Sequence, residues 1–260
     1  MGRVMKNKRV VTIAIVVIIV VFVLHFINPA SYFLADDGRV KEDLTCLNKK
    51  IAALDSEKID SEISRAAFSV KLNEVGGNEG QLDNRFVFSK SVLIGDSMAE
   101  SVVDYRILDS TNVFAVRGKQ LISADDLIAK AISARPENLF IEFGMNDITS
   151  YRGKVEPFID KYKEVVQKFK AELPNTKLYI VSICTISPQG IEEDPTMRNY
   201  PEYNRAMKEM CRQENMTYID TTMLIDSSSE YEFDGVHPKE PYYSNWVKLM
   251  CSYILESNEV

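Results

Sequence analysis

Five short apolar runs, each followed by a stretch of helical period, constrain the fold of this chain more than any other feature. The runs lie at 92–94, 113–116, 139–143, 178–183 and 218–219. The helical patterns lie at about 98–108, 124–134, 156–172, 202–214 and 241–257. Strands that alternate with helices predict an α/β fold, a mostly parallel sheet with helices on both faces. No internal repeat interrupts the alternation. The longest connection runs from Thr185 to about Tyr200 and carries Pro188, Gly190 and Pro195 among Glu192, Glu193 and Asp194. A loop of this length at a strand's carboxyl end predicts a part in shaping a substrate cleft. The plainer reading is an exposed, mobile insertion.

The segment before residue 84 is of a different kind. Residues 10–27 are apolar and uncharged, interrupted only by Thr12 and His25. Eighteen helical residues at about 1.5 Å each reach ~27 Å, close to the hydrocarbon thickness of a bilayer. A secretory signal has a shorter core, roughly 7–15 residues, and a small-x-small cleavage site. Here Asn28 stands two residues before Ala30. The run is therefore expected to be an uncleaved transmembrane signal anchor. Arg3, Lys6, Lys8 and Arg9 all precede it. Residues 1–9 are then a cytoplasmic basic tail, and the chain is a single-pass protein of the cell membrane with residues 28–260 extracytoplasmic. Residues 28–83 read as a stalk or linker with a helical segment at 42–72. Leu44, Leu47, Ile51 and Leu54 keep a 3-4-3 spacing there before the register slips. Val75-Gly-Gly-Asn-Glu-Gly80 signals a loop and a hinge. The catalytic domain is expected at 84–260.

Composition narrows the function. Of the 260 residues 45% are apolar and 27% charged, the balance of an ordinary folded protein. The net charge is −7 although the first nine residues are cationic, so the remainder is more acidic still. An acidic body argues against nucleic acid as a partner and against adhesion to anionic lipid. The four cysteines, Cys46, Cys184, Cys211 and Cys251, match no zinc spacing and are expected to be buried free thiols.

The chemistry starts at Ser91-Val-Leu-Ile-Gly-Asp-Ser-Met-Ala-Glu100. A strand breaks at Gly95 and runs directly into a helix. That exposes the Ser97 hydroxyl at the sheet's carboxyl edge, where open α/β folds place ligands. Free N–H groups of the first helical turn favour negative charge there. A helix cap is the plainer reading of such a serine. The chain has two histidines, and His25 lies within the apolar run, so imidazole chemistry falls to His237. Asp234 precedes it by three positions, and Gly235 permits a tight turn between them. One turn brings the carboxylate to Nδ1 of His237 and leaves Nε2 free to accept a proton. Glu142-Phe-Gly-Met-Asn-Asp147 sets Gly144 and Asn146 at the end of the most apolar strand. A side-chain amide there can donate to an oxyanion. Gly118, at the end of the preceding strand, lets its backbone N–H approach the same oxygen. Alone, these two glycines signal only turns.

Together these residues resemble the SGNH/GDSL hydrolases over about residues 86–253. Gly95-Asp96-Ser97 is similar to the first block, with Ser97 as nucleophile. Gly118 is similar to the second-block glycine, Gly144-Met-Asn146-Asp147 to the G-x-N-D block, and Asp234-Gly-Val-His237 to the D-x-x-H block. The four blocks stand in the family's order. The first is abbreviated, since Met98 follows the serine, and Ala115-Val-Arg117 stands where the family often has an asparagine. The resemblance implies a three-layer α/β/α sandwich with a five-stranded parallel sheet, no cofactor and no metal. It implies a triad of Ser97, His237 and Asp234, with an oxyanion hole from Ser97, Gly118 and Asn146. Ser97 would attack an ester carbonyl while His237 takes its proton, so the rate should fall in acid as His237 protonates.

Four readings follow. The first is a membrane-anchored extracytoplasmic serine esterase that removes small acyl groups from cell-envelope carbohydrate. The second is an O-acyltransferase acting on a cell-surface glycan. It needs an activated acyl donor, usually supplied by a polytopic acyltransferase partner, because this chain has only one span. The third is an inactive wall-binding scaffold, against which the intact Ser97, Asn146, Asp234 and His237 argue. The fourth, metal-dependent phosphoester chemistry at Asp96, Asp147 and Asp234, lacks an H-x-H or D-x-H cluster.

Overall fold

The computed structural model describes residues 83–225, 227 and 230–256. The expected basic tail, the membrane anchor at 10–27 and the helical stretch at 42–72 lie outside the described residues. Among the described residues no helix is long and apolar enough to cross a membrane.

Five strands form one sheet: β1 (Ser91–Gly95), β2 (Val113–Ala115), β3 (Asn138–Glu142), β4 (Lys177–Val181) and β5 (Thr217–Ile219). Their order is β2-β1-β3-β4-β5 and every pair is parallel. Both faces of a parallel sheet are covered, so its strands carry continuous apolar runs rather than alternation. β1 and β3 are buried at all their positions. In register, Gly95 lies beside Ala115 on one side and Glu142 on the other.

The helices are α1 (Asn84–Val87), α2 (Ser97–Asp104), α3 (Asp125–Ala134), α4 (Met145–Ser150), α5 (Val155–Glu172), α6 (Pro188–Glu193), α7 (Tyr200–Gln213) and α8 (Glu240–Glu256). α2 packs on β1 and β2 and against α8. α3 packs on the same two strands and against α5, and α5 packs against α7. The chain steps from β1 to β2, then turns back past β1 to β3. Right-handed crossovers therefore put α2 on one face and α3, α5 and α7 on the other. The reversal makes the carboxyl ends of β1 and β3 a topological switch point, where open sheets take their ligands.

The core explains the helices. α5 buries Phe158, Ile159, Tyr162, Val165, Val166 and Phe169, a stripe of helical spacing. Phe88, Phe140 and Tyr179 stack in a row, with centroids 5.2 and 4.6 Å apart. Cys184, Cys211 and Cys251 are buried free thiols, and Cys46 lies outside the described residues.

One expectation changes. The connection 185–200 is not irregular: it holds α6 and a 3-10 turn, Pro195–Asn199. Pro188 sits at the start of α6, and Ser187 caps it by accepting the Gly190 N–H at 3.2 Å. α6 and α4 have six residues each, too few turns to display a hydrophobic period.

Candidate active site

Ser97 is the first residue of α2, directly after the β1 turn. Its oxygen lies 2.9 Å from His237 Nε2. His237 Nδ1 lies 2.7 Å from Asp234 Oδ2. The structure thus brings a hydroxyl, an imidazole and a carboxylate into one hydrogen-bonded chain. The expected exposure of the serine is corrected: Ser97 is only 4% exposed, because the loop carrying His237 folds over it. The charged end of the relay is wetter, with Asp234 and His237 each about one-third exposed at the side chain.

A tight turn sets the aspartate and the histidine. Tyr231 and Pro238 form an antiparallel bridge, and the Glu232 N–H donates to His237 O at 2.7 Å. Gly235 takes φ +66° between them. A Cβ at that position would stand 2.4 Å from Ser187 Oγ and 2.7 Å from Gly190 N, so only glycine fits. The long connection braces this turn: the Ser187 N–H donates to Gly235 O at 3.0 Å, and Gln189 Nε2 donates to Phe233 O at 2.6 Å. Asp234 Oδ1 accepts the Val236 and His237 N–H groups, both at 2.9 Å. Burial opposes ionisation of Asp234, but these bonds and the ring outweigh it and hold the carboxyl below its ordinary value. An ionised Asp234 favours the tautomer with the proton on Nδ1 and leaves Nε2 to accept from Ser97.

Asn146 and Gly118 follow the carboxyl ends of β3 and β2. Gly118, φ +73°, is the third residue of a turn closed by the Lys119 N–H donating to Val116 O at 3.0 Å, the pattern of a type II turn. It is exposed. Asn146 stands in the first turn of α4, half-buried. Its Nδ2 donates to Asp96 Oδ2 at 2.7 Å and to Lys119 O at 3.3 Å. Its amide is thus engaged by neighbours of the serine and of the glycine. Asp147, next in the chain, is fully buried and accepts the Leu121 N–H at 3.1 and 3.3 Å. Burial pushes its acid up to about 7, against the pull of the Leu121 N–H. Asn146 and Asp147 together pin the segment that follows Gly118.

Two groups take parts in this geometry that the sequence did not assign to them. Asp96 caps α2, accepting the Met98 N–H at 2.9 Å, and at the same time holds Asn146. Glu142 is a buried acid at the end of an otherwise apolar strand. Its charge inside that run was the available signal. Among the described residues no group of three acidic, cysteine or histidine side chains is gathered to hold a metal. Asp96 and Asp147 are fully buried, and Asp234 stands on the partly exposed turn. Clefts of about 430 and 370 Å³ open beside the amino-terminal ends of β4 and β1, lined by residues such as Lys177 and Ser91. Neither cleft is lined by any residue of the relay.

The sequence profile of the GDSL-like lipase/acylhydrolase family matches residues 93–243. The chain belongs to this family. That stretch holds every residue of the relay, together with Gly118, Asn146 and Asp147. An acetylxylan esterase from Geobacillus stearothermophilus is 25% identical over 120 residues, 41% of this chain and 54% of that protein. The match thus spans about half the relative's length. The fold is also that of a GDSL-like lipase from Bacteroides thetaiotaomicron (TM-score 0.54, 14% identity, covering 74% of this chain and 99% of that one). An acylhydrolase candidate from Bacteroides fragilis is similar at TM-score 0.53 and 17% identity, covering 64% of this chain and 86% of the other. Family membership accounts for the spacing of the blocks: each lies at the carboxyl end of a strand or on the loop that closes over those ends.

Proposed function

We propose that the chain is a serine esterase that removes small acyl groups from carbohydrate. The observation that carries this reading is the relay from Ser97 through His237 to Asp234, at 2.9 and 2.7 Å. Ser97 Oγ attacks the ester carbonyl, Nε2 of His237 takes its proton, and Asp234 stabilises the imidazolium that forms. The N–H groups of Ser97 and Gly118 and the amide of Asn146 receive the oxyanion. Asn146 keeps its short bond to Asp96 and exchanges the long one to Lys119 O for the new charge. The imidazolium then protonates the leaving alcohol, and water releases the acyl group by the same steps in reverse order.

Two observations support a carbohydrate ester. The curated relative is an acetylxylan esterase. Phe233, next to Asp234, is 90% exposed on a turn whose backbone is tightly bonded, so an aromatic face stands beside the site without packing partners. A sugar ring stacks on such a face. The apolar run at 10–27 would hold the site at the outer surface of a membrane, where envelope glycans lie.

The test is release of acetate from a chromogenic acetyl ester and from acetylated oligosaccharide by the full chain, beside Ser97→Ala. Activity on both, lost in the variant, is the expected outcome. Equal activity in the variant would overturn the proposal. Adding an unacylated oligosaccharide separates hydrolysis from transfer, since a transferase would label the sugar.

A further inference from the structure

Glu142 is the acid beside the site that the relay does not use. It closes β3 in register with Gly95 and is 4% exposed. A Cβ on Gly95 would stand 2.6 Å from the Glu142 carbonyl oxygen and 2.7 Å from Oε2. The carboxyl therefore lies against the β1 backbone two residues before Ser97. Oε2 is one of two buried side-chain polar atoms without a hydrogen-bond partner among the described residues; the other is Trp246 Nε1. A buried oxygen with no donor is a costly place for negative charge.

Asp96 beside it has the opposite surroundings. Its two oxygens accept from Met98 N and Asn146 Nδ2. Two neighbouring buried carboxyls do not both ionise at neutral pH, because each raises the cost of charging the other. Asp96, which holds two N–H donors, keeps the charge; Glu142, whose Oε2 is bare and whose charge is favoured by the Asp96 N–H alone, keeps the proton. The electrostatics run the same way. Burial, with the Asp96 charge adding to it, raises the Glu142 acid well above its ordinary value. Burial lifts Asp96 only to about 6, because Met98, Asn146 and Glu142 all bond to it.

We propose that Glu142 is a neutral acid that donates its proton to the Asp96 carboxylate, and that this pair positions Asn146 and the Ser97 turn. Glu142 touches no reacting atom, so it is a positioning residue. Its effect on rate rests on the esterase reading; its protonation does not. A single charge shared by the pair holds the two N–H donors. A second charge would sit beneath the place where the oxyanion forms and repel it. The other titratable groups facing Glu142 are Asp147 on α4, Tyr162 on α5, Cys184 after β4, and Tyr242 and Tyr243 on α8. None of them is a cation that could neutralise a second charge. Of the pair, Asp96 is the one whose acid the His237 charge lowers.

The experiment is infrared difference spectroscopy of the full chain against Glu142→Gln at about pH 7.5, where an ordinary glutamate is ionised. The expected result is a protonated carboxylic acid band in the wild type that the variant lacks. Rates on a chromogenic acetyl ester give the second readout. Glu142→Ala should lower kcat at least about tenfold with little change in KM, as expected for a contact that counts in the transition state. Glu142→Gln should restore kcat to within about threefold, since its amide N–H can donate to Asp96 as the acid does. It should also remove a loss of kcat at alkaline pH that the wild type shows when Glu142 ionises. A difference spectrum without the acid band, or an alkaline limb unchanged in Glu142→Gln, would overturn the proposal. If Glu142→Ala does not fold, the wild type and Glu142→Gln decide it alone. A fully active Ser97→Ala would instead remove the esterase reading and leave the infrared result standing.

Discussion

The two halves of the site are built by different means. The Ser97 half lies at the carboxyl ends of β1 and β3 and is buried: Asp96, Glu142 and Asp147 all sit inside the fold, Asp96 accepting from the Met98 N–H and Asn146 and Asp147 from the Leu121 N–H. The His237 half is a single turn outside the sheet, one-third exposed, held by its own backbone bonds and by α6. The first half draws its precision from the sheet, where any displacement disturbs packing on both faces. The second draws it from the hydrogen bonds of one turn, each worth about 1 kcal/mol. The nucleophile should therefore be fixed by the stability of the whole domain, and the base by a local turn that can fail while the domain stays folded.

The largest effect that tests this contrast is on rate. His237→Ala should lower kcat/KM on a chromogenic ester by about 10⁴-fold or more while leaving the unfolding midpoint nearly unchanged. A loss of under tenfold would remove the turn from the reaction. Asn146→Ala should cost about 10²- to 10³-fold in kcat, the usual range for one oxyanion donor. It should also lower stability, unlike His237→Ala, because it frees a buried bond of Asp96.

The glycines sharpen the comparison. Gly95→Ala pushes a methyl into Glu142 and Ala99 within 2.8 Å and should destabilise the domain by about 3 kcal/mol in urea unfolding. Gly235→Ala strains a positive-φ turn against Ser187 and Gly190. It should cost only about 1–2 kcal/mol in the same measurement, yet lower kcat by at least about tenfold, since the turn sets the imidazole. If the two variants lost stability equally, the turn would be part of the cooperative core.

The smallest effect is in pH dependence. Asp147 is raised from 3.8 to about 7, so the folded state binds a proton that the unfolded state releases. Its favourable contribution is complete below about pH 4 and is lost as pH rises through about 7. Asp147→Asn keeps an oxygen for the Leu121 N–H and removes that loss. The variant should gain about 1 kcal/mol or more relative to wild type between pH 4 and pH 8, read as a shift in thermal midpoint at each pH. A difference that does not change with pH would mean that Asp147 is ionised throughout.

Much of this was legible before any fold was known. Apolar runs at 92–94 and 139–143 are β1 and β3 to within about a residue at most ends, because a strand buried on both faces has no freedom in its composition. The spacing of Asp234 and His237 predicts their contact, since three residues with a central glycine make one turn. α4 and α6 were missed because six residues carry no period. The role of the 185–193 segment was missed because its bonds reach residues more than forty positions away.

The chain's pattern determined on its own the α/β alternation, the strand positions and the local Asp–His turn. Those depend on residues close in sequence or on a periodicity that burial imposes. Only the tertiary structure decided that Ser97 would be roofed over, that Asp96 would hold Asn146, and that Glu142 would lie on Gly95 with its Oε2 unpartnered. Each of those facts depends on which strand ends become neighbours, and strand order is set by crossovers that no local window of sequence contains.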